Sequence, residues 1–239
     1  MGEAKRRKMA EQKDSVAPDV SGLAGDVSNH SPWADDSENW EPEKHPDYNY
    51  LMPLRCAAIE ARLLAASDAD KRAFLADTRP VHAELYDGLT PLGRAEYAGT
   101  YRGTANSSIE HYWPAINLVI NGSEQPPVVT AHPLEVDGKM NAYAAKISTL
   151  QTGRDKNTTY AAIVARWLEF NQIHPYANGN GHISRLMVTV MGALTGHPLA
   201  NTWTIHPSPL TDDAKLALAN SNTREGLLSL ARFILAHSL

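Results

Sequence analysis

Two stretches of the chain carry apolar residues at helical spacing, one on each side of a short segment rich in glycine and asparagine. In residues 158–173, Ile163, Trp167 and Phe170 recur at i, i+4 and i+7, with Val164 and Leu168 alongside. Thr158 or Thr159 stands where an N-cap is needed. Pro175 disfavours the α conformation at His174, so this helix is predicted to end near Ile173. Beyond the polar segment, Ile183, Leu186, Met187, Val190, Met191 and Leu194 form the stripe of a buried helix. Gly196 and Pro198 then give a stop signal. Helical patterns also cover residues 54–66, 70–89 with a break near Pro80, 134–150, 214–219 and 227–237. Within 134–150, Met140, Tyr143, Ala144 and Ile147 share one face. The expected fold is mainly α, with a core beginning near Tyr50.

Residues 1–47 break this pattern. They are rich in Ser, Asp, Glu, Lys and Pro and poor in aliphatic residues, so they bury too little to offset their ordering entropy. The expectation is a flexible tail over 1–47 and one helical domain over 48–239. The basic run at 5–8 is expected to be a solvated charge cluster. Trp33 and Trp40, set among acidic residues, have two readings: a docking motif, or side chains folded back on the body.

Composition narrows the function. The 239 residues fit one domain with an extension, or at most two small domains, and 43% hydrophobic content supports a sizeable core. A net charge of −5 argues against a general nucleic-acid binder. The lone cysteine, Cys56, excludes an internal disulfide and fits a reducing compartment. No apolar run approaches the ~20 residues of a membrane span, and the basic start has no apolar run behind it. A cytoplasmic location is therefore expected. The histidines show no zinc-type spacing, and no Walker sequence or serine elbow is present.

The segment between the two principal helices carries the chemistry. It runs Ile173, His174, Pro175, Tyr176, Ala177, Asn178, Gly179, Asn180, Gly181, His182, Ile183, Ser184, Arg185. Gly179 and Gly181 let successive N–H groups converge into an anion nest at a helix N-terminus. Arg185, one turn on, can fork onto phosphate oxygens. His174 is placed to act as a general base toward a hydroxyl. An Asn-Gly turn alone is ordinary loop chemistry. The order of base, nest and arginine between two helices points to transfer of a phosphorus-centred group.

These residues resemble the signature of the Fic family, in which histidine, proline and an aromatic residue precede an acidic residue, glycine, asparagine, glycine and two arginines. His174, Pro175, Gly179, Asn180, Gly181 and Arg185 match, and Tyr176 replaces phenylalanine. Upstream, residues 81–86 and 98–102 are similar to the segment that leads into the Fic flap, with residues 116–129 and their central Asn121-Gly122 as the flap hairpin. The resemblance covers about residues 76–204. It implies a helical domain with a short β-hairpin flap, and transfer of AMP from ATP, with Mg²⁺ or Mn²⁺, to a Ser, Thr or Tyr hydroxyl of a target protein. By that resemblance His174 is the base, Tyr176 anchors the loop, and Gly179, Asn180, Gly181, His182 and Arg185 hold phosphates.

Two signature positions differ. Asn178 stands where the family has its metal-binding acid, so any Mg²⁺ contact there is uncharged and weak. His182 stands for the first arginine and gives a pH-dependent grip. These departures keep a second reading open: a catalytically weak binding or regulatory module, of the kind paired with an antitoxin. A third keeps the loop but transfers phosphate or another nucleoside monophosphate, and a fourth is a helical interaction protein whose loop is only a turn. Many Fic proteins also carry an inhibitory glutamate, and the candidates here are Glu110 and Glu225.

Overall fold

The computed structural model describes residues 40–114, 116, 119–125, 128–151 and 153–239. Among these it has eight α-helices: α1 (Tyr48–Ala65), α2 (Asp68–Ala76), α3 (Arg79–Tyr86), α4 (Val136–Ser148), α5 (Lys156–Ile173), α6 (Asn180–Leu194), α7 (Asp212–Ala219) and α8 (Arg224–Ala236). A two-stranded antiparallel hairpin, β1 (Val119–Ile120) and β2 (Ser123–Glu124), lies between α3 and α4. No described helix is long and apolar enough to cross a membrane.

The α6 helix is the centre of the body. Leu186, Met187, Val188, Val190 and Met191 are all buried, so its apolar character extends round the helix rather than along one stripe. It packs on α5, α1 and α2, while α4 and α8 pack on α5. Cys56 sits in this core, and burial pushes its thiol up to about 12.

The expected helices all form, with their ends set by local chemistry. The α5 helix starts at Lys156, capped by Asp155, whose carboxylate accepts from Thr158 N–H at 3.0 Å. The expected Thr158 and Thr159 caps are displaced because Asp155 lies one turn earlier and makes the stronger cap. The expected break near Pro80 falls at Asp77 and Thr78, between α2 and α3, and Pro80 occupies the first turn of α3, where its missing N–H costs nothing. The α6 helix begins at Asn180, inside the glycine segment, so turn and helix N-terminus share residues. In the hairpin, Asn121 and Gly122 take positive φ values of 50° and 75°, the twist-matching turn of a two-residue loop.

Of the residues expected to form a tail, 40–47 are described. Residues 1–39, with Trp33 and the basic run, lie outside the described residues. Trp40 is 2% exposed. Its indole N–H donates to Leu89 C=O at 3.0 Å, and its ring meets Tyr86 and Tyr97 edge-on. Of the two readings of Trp40, the structure has the side chain folded back on the body.

Candidate active site

His174 ends α5 in the left-handed region, at φ 52° and ψ 62°. That conformation is costly for a β-carbon-bearing residue and must be held by its surroundings. Arg102 holds it. Its Nε donates to His174 C=O and its Nη2 to Ile173 C=O, each at 2.6 Å, and its backbone N–H donates to Pro175 C=O at 2.8 Å. The guanidinium thus satisfies carbonyls that the helix end leaves unpaired. Arg102 is fully buried, and burial lowers its pKa to about 10. Burial, and then the Arg102 charge, bring the His174 imidazole down to about 4. Its Nδ1 is buried without a hydrogen-bond partner.

The loop that follows is fastened from below. Tyr176 stacks on His82 with ring centroids 3.7 Å apart, and its hydroxyl lies 2.6 Å from Thr78 Oγ1. His82 Nδ1 accepts from Gly99 N–H at 2.9 Å, which leaves Nε2–H to donate to Asn178 C=O at 3.0 Å. Burial holds His82 neutral, at about 3. Gly179 has φ 82°, and a Cβ there would come within 2.4 Å of the Tyr86 ring. The Asn180 side chain spans the loop, accepting from Tyr176 N–H at 3.0 Å and donating to Tyr176 C=O at 2.8 Å. The Asn180 amide is thus engaged within the loop, and its main-chain N–H lies at the start of α6.

Above this base, the first N–H groups of α6 have no partner within the helix. Arg185 lies beside them: a Cβ on Gly181 would be 3.1 Å from its Nη1. Arg185 is 5% exposed, its Nε donates to Ile205 C=O at 2.9 Å, and no described acidic side chain pairs with it. A buried cation with no acidic partner among the described residues, next to a helix N-terminus, has the chemistry to take an anion. His182 adds no charge. Its Nδ1 lies 2.9 Å from Tyr86 Oη and its Nε2 3.0 Å from His206 Nδ1. Burial, then the Arg185 and His206 charges, hold it at about 3.

These groups open onto one cleft of about 470 Å³. His174, residues 177–182 and Arg185 line one part of it, and Trp40, Glu41, Tyr112, Pro114 and Ile116 line the rest. The loop residues were legible from their spacing. Trp40, Glu41, Arg102 and His82 as parts of the site were not, although residues 81–86 and 98–102 were pointers to His82 and Arg102. Asn178 uses both ends of its amide: Oδ1 accepts from Gly179 N–H at 2.5 Å and Nδ2 donates to Trp40 C=O at 2.9 Å. Among the described residues no group of three or more His, Cys, Asp or Glu is placed to hold a metal ion. Neither glutamate considered as inhibitory lines the cleft. Glu110 accepts from Asn106 N–H at 2.9 Å, and Glu225 is exposed in the first turn of α8.

A helical body with a short hairpin and a glycine loop joining its two central helices defines the class of fold. Residues 75–191 match the model of the Fic/DOC family, and the chain carries a Fic domain. Solved structures agree on the fold. The BepC effector of Bartonella tribocorum, with bound AMPPNP, is 15% identical with a TM-score of 0.54, over 82% of this chain and 90% of that one. The N-terminal Fic domain of a putative cell filamentation protein from Bartonella quintana, with bound ADP, is 15% identical with a TM-score of 0.54, over 87% of this chain and 94% of that one. No curated protein matches the chain by sequence.

Proposed function

We propose that this protein is a Fic-type transferase that moves AMP from ATP to a Ser, Thr or Tyr hydroxyl of a partner protein. The observation that carries this reading is the neutral His174 in the same cleft as the α6 N-terminus and Arg185, which no acidic side chain among the described residues pairs. The adenine nucleotides held by two fold relatives support the choice of donor.

In this reading the main-chain N–H groups of residues 180–182 and the Arg185 guanidinium bind the phosphate chain. His174 takes the proton of the incoming hydroxyl as its oxygen bonds to the α-phosphorus. The bond to the bridging oxygen breaks, and pyrophosphate leaves with its electron pair. The chain's contribution is positioning and charge placement. A divalent ion, Mg²⁺ or Mn²⁺, would neutralise phosphate charge when bound. The reading places the protein in a cytoplasm, where ATP and Mg²⁺ are available.

The test is incubation with α-labelled ATP and Mg²⁺ or Mn²⁺, with and without cell lysate. His174→Ala should lower labelling about 10²–10⁴-fold and leave the fold intact. Equal labelling by that variant would remove His174 from the role. Label from γ-labelled ATP alone would redirect the reading to phosphate transfer.

The neutral, hydrogen-bonded His182 favours a second reading, a weakly catalytic module that acts by binding a regulatory or antitoxin-like partner. In that case His182→Arg together with Asn178→Asp should switch labelling on.

A further inference from the structure

The loop has a cation problem. A nucleotide polyphosphate brings several negative charges, and the loop answers with Arg185 and two neutral imidazoles, His174 and His182. A divalent ion would balance the rest, and such ions are usually held by one or two carboxylates together with substrate phosphates. Position 178 supplies no carboxylate. Its amide is also not idle, since one end turns Gly179 and the other grips the Trp40 carbonyl. An aspartate there would set an oxygen against that carbonyl and lose the grip. Asn178 therefore fastens the N-terminal segment across the loop.

The residue carried in by that grip is Glu41. It follows the gripped carbonyl directly and lines the same cleft as His174, Gly179 and Arg185. It is the one carboxylate among the described residues lining that cleft. Its ion pair, with Lys44 of the next turn, is largely exposed and easily exchanged. Its charge also reaches the Tyr112 hydroxyl, another group of the cleft wall. The buried, unpaired Arg185 independently marks where phosphate oxygens would lie.

We propose that Glu41 is the carboxylate of a divalent-cation site shared with the phosphates of a bound nucleotide, in place of the residue at position 178. The proposal rests on the reading of the cleft as a nucleotide site.

The experiment is calorimetry of ADP binding to the full chain, once with EDTA and once with Mn²⁺. Wild type should bind ADP in EDTA and bind it at least about tenfold tighter with Mn²⁺. Glu41→Gln should keep its metal-free affinity, or gain slightly from the lost negative charge, and lose most of the Mn²⁺ enhancement. Glu43→Gln removes the same charge from an exposed side chain of the same turn and should keep the enhancement. Asn178→Ala frees the Trp40 carbonyl and should reduce it. Tryptophan fluorescence checks that Trp40 stays packed in each variant. A Glu41→Gln enhancement equal to wild type, or an equal loss in Glu43→Gln, would overturn the proposal while the nucleotide site stands. Absence of ADP binding in both media would overturn the nucleotide reading and this site with it.

Discussion

The role proposed for His174 requires an uncharged ring, and its surroundings favour that form. Burial and the neighbouring Arg102 guanidinium both oppose the imidazolium, so the folded value is about 4 against about 6.5 for a free histidine. The ring should stay neutral from pH 8 down to about pH 5. NMR titration of the His174 ring checks this, and a midpoint near 6.5 would contradict it. The same physics predicts an acid-sensitive fold. His82, His174 and His182 are all held below the ordinary histidine range by burial. Their unfolded forms bind protons below about pH 6.5 while the folded forms do not, so stability present above that pH is lost as pH falls toward 4. The slope is roughly 1.4 kcal/mol per pH unit for each such group. The urea midpoint should therefore drop clearly between pH 7.5 and pH 5.5, and an unchanged midpoint would show that these rings are not buried together.

At the scale of elements, the site is a joint between α5 and α6, and its sharpness depends on Arg102. That side chain ties the last carbonyls of α5 while its own backbone N–H ties Pro175, so one buried residue fixes both the helix end and the loop start. Arg102→Met should orphan two carbonyls and cost about 3–4 kcal/mol, at about 1.5–3 kcal/mol per charged hydrogen bond less the apolar packing regained. Thermal unfolding measures the cost, and labelling activity should fall although Arg102 does not line the cleft. Much of this joint was legible in the sequence. Pro175 marked the end of α5, the glycines marked the turn, and the apolar stripe marked α6. The rest depends on contacts between distant residues, which spacing does not encode. Nothing local to Arg102 says that its partners are 71 and 72 residues away. The family resemblance marked Asn180 as a phosphate ligand, and the closed loop shows in addition its amide bridging Tyr176.

For the whole molecule, the consequential contact joins residues 138 positions apart. Trp40 carries the N-terminal segment over α3 and onto the signature loop, with its indole in the core and its carbonyl on Asn178. Stability and site geometry are thereby coupled through one side chain. Trp40→Ala should cost about 3–5 kcal/mol, the usual range for deleting a buried tryptophan, out of a typical total of about 5–15 kcal/mol. It should also open one wall of the cleft and loosen Asn178. Trp40→Phe is the discriminating variant. It forfeits the indole hydrogen bond to Leu89, worth about 1 kcal/mol, but keeps an aromatic ring against Tyr86 and leaves the backbone carbonyl for Asn178. If the segment acts on the site through its packed position, Trp40→Ala should weaken ADP binding and Trp40→Phe should retain it, with both followed by calorimetry at a temperature where each variant is folded. Equal ADP affinity in the alanine variant would mean that the segment adds stability and plays no part in the site.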